Sequence, residues 1–221
     1  MPQQAFGINI FNIMVKYAYI KVGAPTKSHA RQVFFQKIKF QVGSHVYSLN
    51  DWEHGFLRGN KRVPHSLQIP FGTFDRRKAF VVQDPDPRIH FCLSCGGKAS
   101  GETVFSGSNL RDDLQEAALA FFESAENLEI VDNELHINQV MLWYQSDFDD
   151  SNSKLPRSLA TLVRDWMPPS CSKRSALICQ LTKYQEGIKV VPLPYDWSVR
   201  VHGYRVFQPV NLKNSRKRIH F

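Results

Sequence analysis

The stretch Asp84–Gly97, DPDPRIHFCLSCGG, decides how this chain is read. From Arg88 to Leu93 apolar and polar side chains alternate, with Ile89, Phe91 and Leu93 on one face and His90, Cys92 and Ser94 on the other. That period predicts a buried strand. Gly96 and Gly97 end it where the backbone becomes permissive. Cys95 stands at this end, a thiol beside a loop able to approach a ligand closely, with His90 five positions before it. A thiol and an imidazole in such proximity are what nucleophilic catalysis by cysteine requires.

Outward from this run, the pattern is one of mixed helices and short strands. Ala5–Val22 (AFGINIFNIMVKYAYIKV) predicts a buried helix on the recurrence of Phe6, Ile10, Ile13 or Met14, Tyr17 and Ile20, ended by Gly23 with Pro25 just beyond. A domain rarely opens on its most buried helix, so the natural domain is expected to continue upstream of Ala5. Phe40–Tyr47 predicts a hairpin turning at Gly43-Ser44. Ser48 then reads as a helix cap with Asp51 three positions on, followed by a face of Leu49, Trp52, Phe56 and Leu57. Arg58–Arg77 is a loop rich in proline, glycine and basic residues. Ser108 caps an amphipathic helix with the stripe Leu110, Leu114, Ala117, Ala118, Phe121 and Phe122. A second hairpin is expected at Leu128–Ile137 around Asp132-Asn133, then helices over Asn138–Phe148 and Leu155–Trp166, and an extended segment Val190–Trp197. There is no regular alternation of strand and helix, which favours an α+β class, a single compact domain of helices packed on short strands and hairpins.

Composition bounds the function. A chain of 221 residues with 43% hydrophobic and 22% charged residues can bury a core of ordinary domain size. No stretch approaches the ~20 apolar residues of a spanning helix, and Met1-Pro2-Gln3-Gln4 lacks the features of a signal peptide. The reading therefore expects a cytoplasmic protein without a membrane partner. Four cysteines, at 92, 95, 171 and 179, are too few and too irregular for a secreted disulfide framework, so reduced thiols are expected. The net charge of +8 is segregated: +9 over residues 1–83, −11 over 84–150 and +10 over 151–221. An acidic middle between basic ends suggests mutual neutralisation in one body and argues against a uniform nucleic-acid surface.

Five segments, in this order, resemble the family called domain of unknown function 547: Ala5–Pro25, Tyr47–Asn60 (YSLNDWEHGFLRGN), Asp86–Ser100 (DPRIHFCLSCGGKAS), Leu142–Phe148 (LWYQSDF) and Tyr195–Arg200 (YDWSVR). The resemblance spans residues 5–200 and leaves 201–221 as a basic C-terminal tail. It implies a compact α+β domain without an assigned activity, comparable by analogy to papain- or transglutaminase-type thiol hydrolases. The chain departs from the family at Gly7, where relatives place an aromatic, at Phe11, where they place Tyr, and near Gly101, where they carry Pro after a more Ser-rich loop.

Cys95 matches the family's cysteine and is the expected nucleophile, with the glycine-loop N–H groups as oxyanion donors. The plainer alternative is a small buried residue. His54, beside Gly55, is the first choice of base and His90 the rival. Glu53 adjoins His54 in sequence but projects about 100° away on a helix. Asp196 and Asp147 are the acids that could orient a histidine. The Cys92–Cys95 spacing reads as incidental, since Cys171 and Cys179 lack zinc-finger spacing; no metal and no cofactor is expected. Asn9 and Asn12 are amides on an apolar helix that need partners and could hold the cysteine loop. The expected partner is an unidentified protein or a small acyl or amide substrate. Two functions follow: a cysteine-dependent hydrolase or acyltransferase, or a non-catalytic interaction module retaining the scaffold.

Overall fold

Helix α1, Pro2–Val22, opens the computed structural model, which describes residues 2–64, 66–93, 103–148, 159–183, 188–193 and 219–220. The protein is α+β. Its chain divides into two compact units: Met1–Asp86, Leu93–Leu110 and Asp196–Phe221 in the first, Pro87–Cys92 and Arg111–Tyr195 in the second.

In the first unit α1 ends as expected, with Gly23 at φ +93° just past Val22. The helix buries a different face from the one its largest residues mark. Ala5, Ile8, Phe11, Met14, Val15 and Ala18 are buried, whereas Phe6, Ile13 and Ile20 are 50%, 49% and 62% exposed. Close packing explains the choice. A Cβ on Gly7 would come within 2.5 Å of Leu57 Cδ2, and the Gly7 carbonyl accepts the indole N–H of Trp52 at 2.9 Å. Small residues, not large ones, let this helix approach its neighbour.

Helix α2, Ser28–Lys37, adds Phe34 and Phe35 to the same core. Strands β1 (Lys39–Val42) and β2 (His45–Ser48) then form the expected antiparallel hairpin, with Gly43 at φ +59° in the turn. A two-residue Ile219–His220 strand, numbered β6 below because it comes last in the chain, pairs in parallel with β1, Phe40 beside Ile219, giving the order β2-β1-β6. Part of the expected tail is thus an edge of this sheet.

The second unit begins with a correction. Pro87–Phe91 is a 3-10 turn, not a strand, and the Cys92 N–H closes it on the Ile89 carbonyl at 2.9 Å. Pro87 presets a helical φ at the first position. Moreover Ile89, His90, Phe91 and Cys92 are all buried, so the alternation of residue types corresponds to no alternation of faces.

Helix α3 (Leu110–Glu123) buries the expected stripe, and β3 (Leu128–Val131) pairs antiparallel with β4 (Glu134–Asn138) around Asp132 at φ +48°. Asn138 caps α4 (Gln139–Trp143) by accepting the Val140 N–H, and α5 (Gln145–Phe148) follows after a break at Tyr144. Helices α6 (Leu159–Trp166) and α7 (Arg174–Lys183) lead to β5 (Lys189–Leu193), which joins β4 in parallel. The core gathers Phe91, Phe121, Phe122, Met141, Phe148 and Met167 with the inward residues of β3 and β4.

Candidate functional site

His90 is carried by the 3-10 turn and Asp147 by α5, and the second unit brings them together. His90 Nε2 lies 2.9 Å from Asp147 Oδ2, with side-chain exposures of 1% and 5%. The backbone builds this pair locally. The Asp147 N–H donates to the Tyr144 carbonyl at 2.8 Å, so the acid and the Tyr144 ring arrive on one turn. That ring stacks on the imidazole at 3.7 Å between centroids and 16° between planes. Phe148 approaches the imidazole at 5.8 Å and stacks on Phe91 at 5.7 Å, while its carbonyl accepts the Trp166 indole N–H at 2.9 Å.

The pairing has a chemical direction. A carboxylate can only accept, so Nε2 carries the proton toward Asp147 and Nδ1 is the basic nitrogen of the neutral ring. A buried carboxylate also stabilises the imidazolium that proton uptake would create. The arrangement fixes both the tautomer and the orientation of the ring.

His54 sits differently, in the first unit. Ser48 and Asp51 form the expected reciprocal cap, the Ser48 N–H donating to Asp51 Oδ2 at 2.9 Å and the Asp51 N–H to Ser48 Oγ at 3.0 Å. The turn that follows, Asp51–Leu57, is π-helical, with the Arg58 N–H on the Glu53 carbonyl at 3.0 Å and the Asn60 N–H on the Gly55 carbonyl at 2.8 Å. Gly55 is needed here for space, since a Cβ would fall 2.3 Å from Phe71 Cζ. Glu53, His54 and Arg58 are all buried. Arg58 Nη1 lies 2.9 Å from His54 Nδ1, and Glu53 Oε1 lies 3.7 Å from the same nitrogen. A guanidinium has no acceptor, so Nδ1 must accept from Arg58 and the ring proton resides on Nε2. The Glu53 contact is therefore longer than a hydrogen bond and not one.

Arg58 and Tyr144 are the functional neighbours that a reading of the sequence passes over. Both had a signal in spacing: Arg58 is four positions from His54, and Tyr144 three before Asp147. Of the two amides on α1, Asn9 grips Phe105, donating to its carbonyl at 2.8 Å and accepting its N–H at 2.9 Å. It thereby holds the segment that follows the cysteine loop. Cys95 and Asp196 lie outside the described residues. Cys92 is buried, its thiol 3.5 Å from the Arg88 carbonyl oxygen. Cys171 is buried too, and burial pushes its thiol above the usual range. A polar cleft of about 240 Å³ is lined by Ser48, Asn50, Asp51 and Gln68 among others, and none of the expected catalytic residues lines it. Among the described residues no three metal-ligating side chains are gathered.

A family model described as "Protein of unknown function, DUF547" matches residues 2–122. The chain belongs to this family. The DUF547 match takes in His54, His90 and Cys95, while Asp147 and Asp196 fall beyond it. No curated protein and no solved structure matches the chain. In this DUF547 member no helix among the described residues is long and apolar enough to cross a membrane.

Proposed function

We propose that the chain is a cysteine-dependent hydrolase or acyltransferase acting on an amide or thioester, with Cys95 as nucleophile, His90 as base and Asp147 as the acid that orients it. The observation that carries this reading is the buried 2.9 Å contact between His90 Nε2 and Asp147 Oδ2, five positions before the cysteine in the chain. Cys95 follows His90 by five positions, a span of at most about 17 Å along an extended chain.

His90 Nδ1 takes the thiol proton and the thiolate attacks the carbonyl carbon. The oxyanion collapses to an acyl-enzyme thioester, and the amine or thiol leaves with the proton from the imidazolium. Water, or an acceptor amine or thiol, then releases the acyl group by the same route. Asp196 remains the second acid in the scheme. His54 carries its ring proton on Nε2, because Arg58 donates to its other nitrogen. A cytosolic setting suits an enzyme that depends on a reduced thiol.

The test is the thiol pKa of Cys95 by pH-dependent alkylation, in a Cys179→Ser background to remove the exposed thiol. The expected value lies well below the ordinary ~8.5, and returns toward it in His90→Ala. Cys95→Ala marks the site. An ordinary thiol, unchanged by His90→Ala, would replace this reading with that of an interaction module.

A further inference from the structure

The loop that follows the π-helical turn presents apolar side chains to solvent on a rigid frame. Asn60 brackets Phe71, donating to its carbonyl and accepting its N–H, both at 2.9 Å. The Val63 N–H closes on the Gln68 carbonyl at 3.1 Å, with Leu67 next to the closing residue. The Asp75 N–H closes on the Gly72 carbonyl at 3.1 Å, with Phe74 at the corner of a second turn. Leu67 is 85% exposed and Phe74 96%. Ile69, on the same loop, is 48% exposed, and so is Phe80 at the end of the 3-10 turn Arg76–Phe80, where its ring lies 5.3 Å from that of His45.

The loop sequence is predominantly basic, and the nearby Asp51 carboxylate is bridged to Arg77 at 3.1 Å. Asp75 is the only acid between positions 54 and 83. Its carboxylate is taken up by Arg77, through Nε at 3.0 Å and Nη2 at 2.7 Å. Arg77 is itself internal to the frame, donating to the Val46 carbonyl at 2.8 Å and lying 4.3 Å over the Phe71 ring. What faces solvent is therefore Arg62, Arg76 and Lys78 among apolar tips.

We propose that this loop docks the protein on an anionic membrane surface, with Phe74 and Leu67 entering the interface and Arg62, Arg76 and Lys78 meeting lipid phosphate or carboxylate groups. Charge complementarity selects a negative partner, and the shape selects lipid. A fluid bilayer accepts protruding, isolated apolar side chains, whereas a protein would have to offer a matching cavity for each. A nucleic acid could stack on Phe74 but offers nothing to Leu67 or Ile69. The mode is peripheral and needs no spanning helix.

Co-sedimentation of the full chain with phosphatidylcholine vesicles, with and without phosphatidylserine, tests the proposal. Binding is expected only to the anionic vesicles and is weakened by salt. The pair Arg76→Ala and Lys78→Ala lowers the partition about 25-fold, at roughly fivefold per charge. Phe74→Ser lowers it about tenfold, and its side chain is too exposed for the change to unfold the protein. Absence of binding, equal binding to neutral vesicles, or an unchanged Phe74→Ser protein would each overturn the proposal. The last of these outcomes, with displacement by single-stranded DNA, would point to a polyanion site instead.

Discussion

The imidazole of His90 and the carboxylate of Asp147 meet at 2.9 Å in a pocket almost closed to water, with the Tyr144 ring flat against the imidazole. The two residues come from a 3-10 turn and a short helix far apart in the chain, and each depends on the other. Removing one member of such a pair strands a buried polar group. His90→Ala is expected to destabilise the protein by about 3–5 kcal/mol, measured by urea unfolding at neutral pH. Asp147→Asn keeps the volume and costs less. It also releases the tautomer, so Cys95 alkylation at pH 7 should slow in Asp147→Asn even where folding is retained.

His54 should show the opposite preference. With Arg58 donating to Nδ1, nitrogen-detected NMR is expected to find Nδ1 unprotonated and Nε2 protonated at neutral pH. Arg58→Met removes the constraint, and the two tautomers should then mix. A wild-type ring protonated on Nδ1 would contradict the arrangement.

Gly55 has no room for a side chain against Phe71. Gly55→Ala should cost about 1–3 kcal/mol by overpacking. Adding Phe71→Leu should recover part of the loss, a non-additivity visible in a double-mutant cycle of denaturation midpoints. Gly7→Ala, facing Leu57 and Phe56, should behave in the same way.

Asp75 links the basic loop to pH. The hydrogen bond from the Arg77 side chain holds its carboxyl below the usual carboxylate range, against the opposing effect of burial. A depressed folded-state pKa means that the contribution is complete above the unfolded value of about 3.9. It is lost as pH falls through the lower, folded value. Thermal melts between pH 5 and 2 should therefore show Asp75→Asn losing less stability on acidification than the wild type.

The parts of this fold that are legible in the sequence are those set by neighbours along the chain. Gly43 in its turn, the Ser48–Asp51 cap and the α3 stripe each depend on contacts within a few residues. Arg58, four positions from His54, was within sight for the same reason, and Tyr144 lies three before Asp147 but 54 from the ring of His90 that it covers. What escaped depends on partners distant in sequence. Arg88–Leu93 alternates in residue type, yet Pro87 and burial on every side make it a turn. On α1 the small residue Gly7 decides which face packs, and it outweighs the larger stripe of Phe6, Ile13 and Ile20. Helix α2 buries Ala30, Arg31, Phe34 and Phe35, a short face that includes a charged residue, and α7 buries Leu177 alone among its residues described as buried, so apolar periodicity is weak in both. His90 and Asp147 were both nameable as candidates, but their contact spans 57 positions and is visible only in three dimensions.

The parallel pairing of Phe40 with Ile219 joins two strands about 180 positions apart in the chain. During translation β1 and β2 can form their hairpin at once, while the outer edge of β1 must wait until Ile219 and His220 have emerged. Until then Lys39–Val42 offers unpaired backbone groups, the kind of edge to which a strand from another chain can attach. The second unit, whose sheet β3-β4-β5 is complete by Leu193, faces no such delay. Removing Ile219 and His220 would return β1 to that early condition, turning an interior strand into an open template for self-association.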